Sequence, residues 1–404
     1  MIHLRALLPL ATTPFVAALG IVFGACSSEG NPHTAATVTP KESDTTKQET
    51  RVIVPVDYSL GRAMNARIGK GINLGNSWDS DGNRLDSSWG NPIRDYDFPF
   101  IKKAGFNSVR IPVRWQRNSD YSTHTVDPER LAGVKEDVQL ALAQGLAVIV
   151  NFHHYVQLNC AGGGGQGCTY DSTAYEKEKE HFLGMWAQVA SEFNAPEFPD
   201  SMVVLEILNE PTIPNAERVD ALMNDAYQVI RAAAPGKTIM FESYHSAKFA
   251  DLNILHLPAD GNIIYSGHYY EPYGFSHQGH SYGCKGDAAY NNTAFTDLDL
   301  YAKQARALYP DKDGVNSIPL NMGEFGISGG TEYANKNTCK DGEALPSAKM
   351  KAQWASLTIK AAETYGMSWN YWGFTSVGGF EAAHHNAMDE AIEWYEGFPT
   401  AFGL

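Results

Sequence analysis

The sequence predicts a (β/α)8 barrel, an α/β fold in which eight parallel strands alternate with helices. Three observations predict it. Short apolar runs recur eight times, with helical stretches between them. The runs are dense in Val, Ile and Leu and do not alternate strictly, as strands buried on both faces should not. Several end in polar or aromatic residues, and in a barrel those C-terminal ends converge on one mouth. The alternative is a doubly wound sheet. That fold would want a glycine-rich phosphate turn opening a helix, and Gly69-Lys70-Gly71 is not followed by one.

In chain order, strands are expected at Gly71–Leu74, Ser108–Val113, Leu146–Phe152, Val203–Glu210, Thr238–Glu242, Ile263–His268, Ile318–Glu324 and Met367–Trp372. Helices are expected within Asp127–Gln144, Tyr175–Glu192, Ala216–Ala234 and Ser347–Tyr365. The fourth strand organises the rest. It runs Val-Val-Leu-Glu-Ile-Leu and breaks into Asn209-Glu210-Pro211. Pro211 has no N–H to give a ladder, so the strand must stop before it. Glu206 interrupts the apolar run, which fits a side chain turned into a polar barrel interior. Glu176-Lys177-Glu178-Lys179-Glu180 reads as a solvated helix face laced by i,i+3 and i,i+4 charge pairs.

The 404 residues carry a net charge of −15. That excess argues against nucleic acid or an anionic membrane surface as a partner, whereas a neutral polymer is not repelled. Residues 1–26 read as an export signal. Arg5 is followed by the apolar stretch Ala6–Phe23, then by Gly24-Ala25-Cys26 in the manner of a lipobox. On that reading a lipid on Cys26 is the chain's membrane contact; the alternative is an ordinary secretory signal with Cys26 discarded or unpaired. Residues 27–51 are polar and read as a disordered tether, leaving 52–404 as one folded domain. Cys160, Cys168, Cys284 and Cys339 remain, an even number in an exported chain. Three pairings are possible. Cys160 and Cys168 flank Gly162–Gly165 and pair most easily, which would leave Cys284 with Cys339. A zinc site is the weaker reading, because no C-x-x-C spacing occurs.

The strand ends hold the candidate site. Arg110 belongs to the second strand, His153 and His154 follow the third, and Asn209 and Glu210 close the fourth. His268 and Tyr270 lie at the sixth, Glu324 at the seventh and Trp372 at the eighth. Two carboxylates among a cation, imidazoles and an indole describe a site for glycoside hydrolysis. Taken singly the residues have blander readings: a strand-end Arg is usually an ion-pair partner, and His154 and the aromatic residues serve packing. Trp78, Trp89 and Trp115 follow strand ends and could line a cleft.

The ordered motifs Gly71-Ile72-Asn73-Leu74-Gly75-Asn76, Val109-Arg110-Ile111-Pro112, Leu208-Asn209-Glu210-Pro211 and Gly323-Glu324-Phe325-Gly326 resemble glycoside hydrolase family 5. The resemblance covers roughly residues 60–390. Asn151-Phe152-His153-His154-Tyr155 and the stretch His268–Gly279 are similar to the branch of bacterial endoglucanases that also accept mannan. The resemblance implies a retaining endo-β-1,4-glucanase acting on a β-linked polysaccharide, monomeric, with no metal and no organic cofactor. It implies Glu324 as nucleophile, with Arg110 and Tyr270 hydrogen-bonding its carboxylate and holding its pKa low. It implies Glu210 as general acid/base and Asn209 as the partner of the sugar 2-hydroxyl. His153 and His268 would position sugar and carboxylates, with His154, Trp78 and Trp89 as further sugar contacts and Trp372 as the stacking platform. Related specificities for mannan, xyloglucan or mixed-linkage glucan stay open. So does an inactive surface glycan-binding lipoprotein, since a fold alone confers no activity.

Overall fold

The computed structural model describes residues 52–279, 283–328, 339, 343–375, 379–386 and 391–404. The signal, Cys26 and the tether expected within 1–51 lie outside the described residues. Eight parallel strands form a closed barrel in chain order: β1 Lys70–Asn73, β2 Ser108–Ile111, β3 Ala147–Asn151, β4 Val203–Glu206, β5 Thr238–Phe241, β6 Ile263–Tyr269, β7 Leu320–Phe325 and β8 Ser368–Tyr371. β8 returns beside β1, with Trp369 opposite Lys70, and this pairing closes the barrel. Every residue of β2 to β8 is buried, which is why these runs carry no polar alternation.

The four expected helices form as Pro128–Ala143, Ser172–Phe193, Ala216–Ala233 and Ala348–Thr364. Each starts at a side chain that accepts a backbone N–H three residues on: Asp127, Asp171, Asn215 and Ser347. Such a cap stabilises a helix by about 1 kcal/mol, and it explains why these helices begin where they do.

Period-two alternation builds the barrel interior in layers. Ile149, Val204, Met240 and Ile264 form an apolar layer that packs on Met64 and Ile68 of helix Ser59–Ile68. Two positions further along come Asn151, Glu206 and Ser266 on their strands and Glu242 just past the end of β5, all fully buried. The apolar plug is thus followed by a polar layer, and the mouth lies above it.

β4 ends at Glu206, four residues before the end of the expected strand. Ile207 and Asn209 still donate to Met240 O and Phe152 O, but Glu210 turns into the left-handed region at φ 47°. That turn swings its side chain off the strand axis and over the mouth. A non-glycine residue there costs on the order of 1 kcal/mol, so something must hold it. Cys160 is disulfide-bonded to Cys168, and Cys284 to Cys339.

Candidate active site

Arg110 sits at the centre of the mouth with no exposed surface. All five of its N–H groups have acceptors. Nε donates to Glu206 Oε2 at 2.7 Å; Nη1 donates to Glu324 Oε1 at 2.7 Å and Asn73 Oδ1 at 3.0 Å. Nη2 donates to Asn209 Oδ1 at 2.7 Å and Glu242 Oε1 at 3.3 Å. A rigid guanidinium fork serving five acceptors fixes all of them at once. With Asn209 Oδ1 occupied by Arg110, its amide NH2 is the group left to donate into the cleft.

His268 lies between the two outer glutamates. Its Nδ1 is 2.8 Å from Glu210 Oε1 and 3.5 Å from Glu324 Oε2, and its Nε2 is 3.0 Å from Glu242 Oε1. Tyr270 donates its hydroxyl to Glu324 Oε2 at 3.0 Å. Glu324 is therefore gripped on one oxygen by Arg110 and on the other by Tyr270. One carboxylate oxygen from each of Glu210 and Glu324 and a ring nitrogen of His268 lie within 4.8 Å of one another.

The aromatic residues divide. Trp372 is partly exposed and its ring stacks parallel to His153, centroids 5.8 Å apart. It lies directly on Gly75, where any Cβ would stand 2.6 Å from the indole; only glycine permits that approach. His154 meets His153 edge-on at 4.2 Å, and Trp89 meets His154 edge-on at 5.9 Å, so these rings continue the wall outward from Trp372. Trp78 is not part of it, which corrects the expectation that it contacts sugar. Its side chain is 2 % exposed, its Nε1 donates to buried Asp137 Oδ2 at 2.7 Å, and Arg130 covers its ring. Helix Pro128–Ala143 packs on that indole at Gly133, leaving no face for a sugar. Trp115 is likewise buried, with Nε1 on Asn151 O.

Burial sets the electrostatics. It pushes the Glu206 carboxyl up to about 8 against the pull of Arg110, with the charge of Glu242 adding to the rise. It also raises Glu324, although His268 and Arg110 pull the other way. This corrects the expectation that Arg110 and Tyr270 would hold Glu324 low: desolvation outweighs the pull of His268 and Arg110. Burial alone would lower His268, but the charges of Glu324 and Glu242 and hydrogen bonds to Glu210 and Glu242 hold it well above the ordinary imidazole value. His153 goes the opposite way, well below that value, because burial is joined by the charges of His154 and Arg110. The Tyr270 phenol is driven up by burial and by Glu324, so it remains a donor.

Three residues of this network were not read from sequence as site members: Asn73, Glu206 and Glu242. Each was visible as a polar residue within or closing an apolar run, which is the signal that could have found it. Asp79 is a fourth. It is buried beside His154, accepts the backbone N–H of Asn76 and Ser77, and is pushed up to about 7 by burial. Among the described residues, Asp79, His153 and His154 also bring three potential metal donors within 4.8 Å, as Glu210, His268 and Glu324 do.

Comparison with known proteins places the chain in a family. The chain is 27% identical to endoglucanase H of Acetivibrio thermocellus over 267 residues, 65% of this chain and 26% of that protein. It thus spans about a quarter of that relative's length. With endoglucanase B of Ruminococcus albus it shares 27% identity over 71% of this chain and 70% of the other. Among solved structures, endoglucanase Cel5A from Thermotoga maritima superposes with a TM-score of 0.66 at 26% identity, covering 86% of this chain and 100% of that one. The family model for cellulase, glycosyl hydrolase family 5, matches residues 70–378. The chain therefore belongs to glycosyl hydrolase family 5, the cellulase family.

Proposed function

We propose that the protein is a retaining endo-β-1,4-glucanase in which Glu324 is the nucleophile and Glu210 the general acid/base. The observation that carries the reading is the approach of the Glu210 and Glu324 carboxylates, with oxygens within 4.8 Å. Retaining hydrolases keep their carboxyl groups about 5–5.5 Å apart, whereas inverting ones leave about 6.5–9.5 Å for a water. Their surroundings differ in the sense the roles require. Glu324 is tied at both oxygens by Arg110 and Tyr270, which orients it for attack on the anomeric carbon. Glu210 is part-exposed, and among the described residues the hydrogen bond on its carboxyl comes from His268, which leaves it open to meet the glycosidic oxygen. Asn209 offers its NH2 to the 2-hydroxyl, and Trp372 offers an indole face to the sugar. A buried, hydrogen-bonded constellation of this kind counts against an inactive glycan-binding protein.

The test is to incubate the purified protein with a panel of β-glucans and mannans, reading reducing ends, viscosity and the anomer first released. Rapid viscosity loss with retained configuration on β-1,4-glucan is expected. An inverted first product would end the double-displacement reading. Mannan belongs in the panel because a Thermotoga maritima Cel5A structure was solved with mannotriose; that protein is 25% identical to this chain.

The raised Glu324 carboxyl has a direct consequence for pH. The nucleophile must be ionised, so kcat/KM falls as pH drops through the pKa of Glu324. Burial lifts that pKa above the ordinary Glu value of 4.5, so the acid limb is expected above pH 4.5. A profile whose acid limb lies below pH 4.5 would place the nucleophile in a less buried site than this one.

Export by the N-terminal segment is part of the same proposal, and it rests on residues 1–26 alone. Cys26→Ser is expected to move the protein from the membrane fraction to the soluble exported fraction. Unchanged fractionation would rule out lipidation.

A further inference from the structure

We infer that Glu242, just past the end of β5, is a positioning residue that sets the backbone of Glu210 and the protons of His268 together. The inference rests on the roles proposed above for Glu210 and Glu324.

Glu242 is fully buried, and each of its hydrogen-bond partners belongs to the site. Its Oε2 accepts the backbone N–H of Glu210 at 2.7 Å. Its Oε1 accepts from His268 Nε2 at 3.0 Å and Arg110 Nη2 at 3.3 Å. The first contact answers what holds Glu210 at φ 47°. A carboxylate on a strained residue's N–H is a charge-assisted bond, strong enough to offset the strain of a single left-handed residue. The side chain of Glu210 leaves the backbone at the angle this bond imposes.

The second contact concerns charge. His268 is faced by Glu242 past β5, Glu210 past β4, Glu324 on β7 and His153 past β3; Arg110 on β2 shares Glu242 and Glu324 with it, and Tyr270 follows just past the end of its own strand. Lys248 pairs with it through backbone only, its side chain being exposed. Nδ1 faces Glu210 and Glu324; Nε2 faces Glu242. An imidazole with carboxylate oxygens at both nitrogens has two acceptors to satisfy and needs both protons to do so. Glu242 therefore keeps a proton on Nε2, and the Nδ1–H is then aimed at the two reacting carboxylates. Arg110 has two further carboxyl partners, Glu206 and Glu324 at 2.7 Å each, whereas among the described residues the Glu210 N–H and His268 Nε2 find their carboxylate in Glu242. Its particular contribution is to the Glu210 N–H and to His268.

The test uses Glu242→Gln and Glu242→Asp in the full chain, with thermal unfolding as the folding check. Glu242→Gln removes the counter-charge, so the His268 pKa falls. On this inference the protonated imidazole is the working form, since only it donates from Nδ1 to Glu210 and Glu324 while Nε2 serves Glu242. The alkaline limb of kcat/KM therefore moves to lower pH, by about one unit or more. Its kcat is expected to drop about 10²-fold, as misplacement of a reacting group by an ångström does, with KM within about three-fold. Glu242→Asp keeps the charge but withdraws it by one methylene. It should lose kcat while its alkaline limb stays near that of the unmutated enzyme. A purely structural residue would lower stability and leave both limbs in place. An unmoved limb in Glu242→Gln, or wild-type kcat in both variants, overturns the inference. Should Glu242→Gln fail to fold, wild-type kcat in Glu242→Asp overturns it alone, as does a kcat loss that merely follows lowered thermal stability, and a kcat loss at unchanged thermal stability with an unmoved limb supports it. The product anomer, followed in parallel on the unmutated enzyme, separates the two readings: inversion there refutes Glu324 as nucleophile whatever the Glu242 variants do.

Discussion

Glu324→Ala is expected to lower kcat on β-1,4-glucan by about 10⁴-fold or more, equivalent to about 5 kcal/mol of transition-state stabilisation. On the proposed roles the nucleophile is gone, so no glycosyl-enzyme forms. The loss extends beyond the missing carboxylate. Arg110 loses the Nη1 partner at 2.7 Å and Tyr270 its acceptor at 3.0 Å, so two donors built for Glu324 are left facing an empty space. That space suits a small anion beside a buried cation. Azide or formate should occupy it and attack the anomeric carbon of a substrate with a good leaving group, and the product should be inverted. A retained azide product would show that another group still performs the first displacement. Removing a buried charge partner also tells on stability, typically by about 3–5 kcal/mol. Here the effect is softened because Glu324 itself is raised by burial and Arg110 keeps Glu206 and Glu242.

Glu210→Ala is expected to separate the two half-reactions. The proposed nucleophile keeps its grip, since the hydrogen bonds of Arg110 and Tyr270 that hold it go to Glu324 itself. Protonation of the leaving group is lost, a contribution of about 10²–10⁴-fold for general acid catalysis. Cellulose should suffer the full loss, while an aryl cellobioside with an acidic phenol should retain most of its glycosylation rate. Water then has no base, so the covalent intermediate accumulates and should appear by intact mass on Glu324. Azide should release it with retained configuration. Equal losses on both substrates would remove Glu210 from the acid role, and an inverted azide product would exchange the two glutamates. His268 is the neighbour to watch, because Glu210 Oε1 is one of its two acceptors at Nδ1.

The local pattern of the chain already specifies the barrel and puts polar residues at its strand ends. Eight apolar runs became eight barrel strands in chain order, because burial on both faces is written into each strand locally. Arg110, Asn209, Glu210, His268, Tyr270, Glu324 and Trp372 were visible because so many polar and aromatic residues fall at the ends of such runs together, although each alone has a blander reading. The tertiary structure decided what depends on distant neighbours. Arg110 and Glu324 stand 214 positions apart in the chain, and only barrel closure sets Nη1 against Oε1. The same closure buries Glu206 and Glu242 around one guanidinium, turning strand residues into members of the site. The Glu324 pKa ran against the expected direction because the desolvation that raises it comes from the whole surrounding shell, which no motif records. Trp78 fell to the core for the same reason: helix Pro128–Ala143 covers its indole, and that docking is fixed by packing between elements rather than by the residues beside Trp78 in sequence.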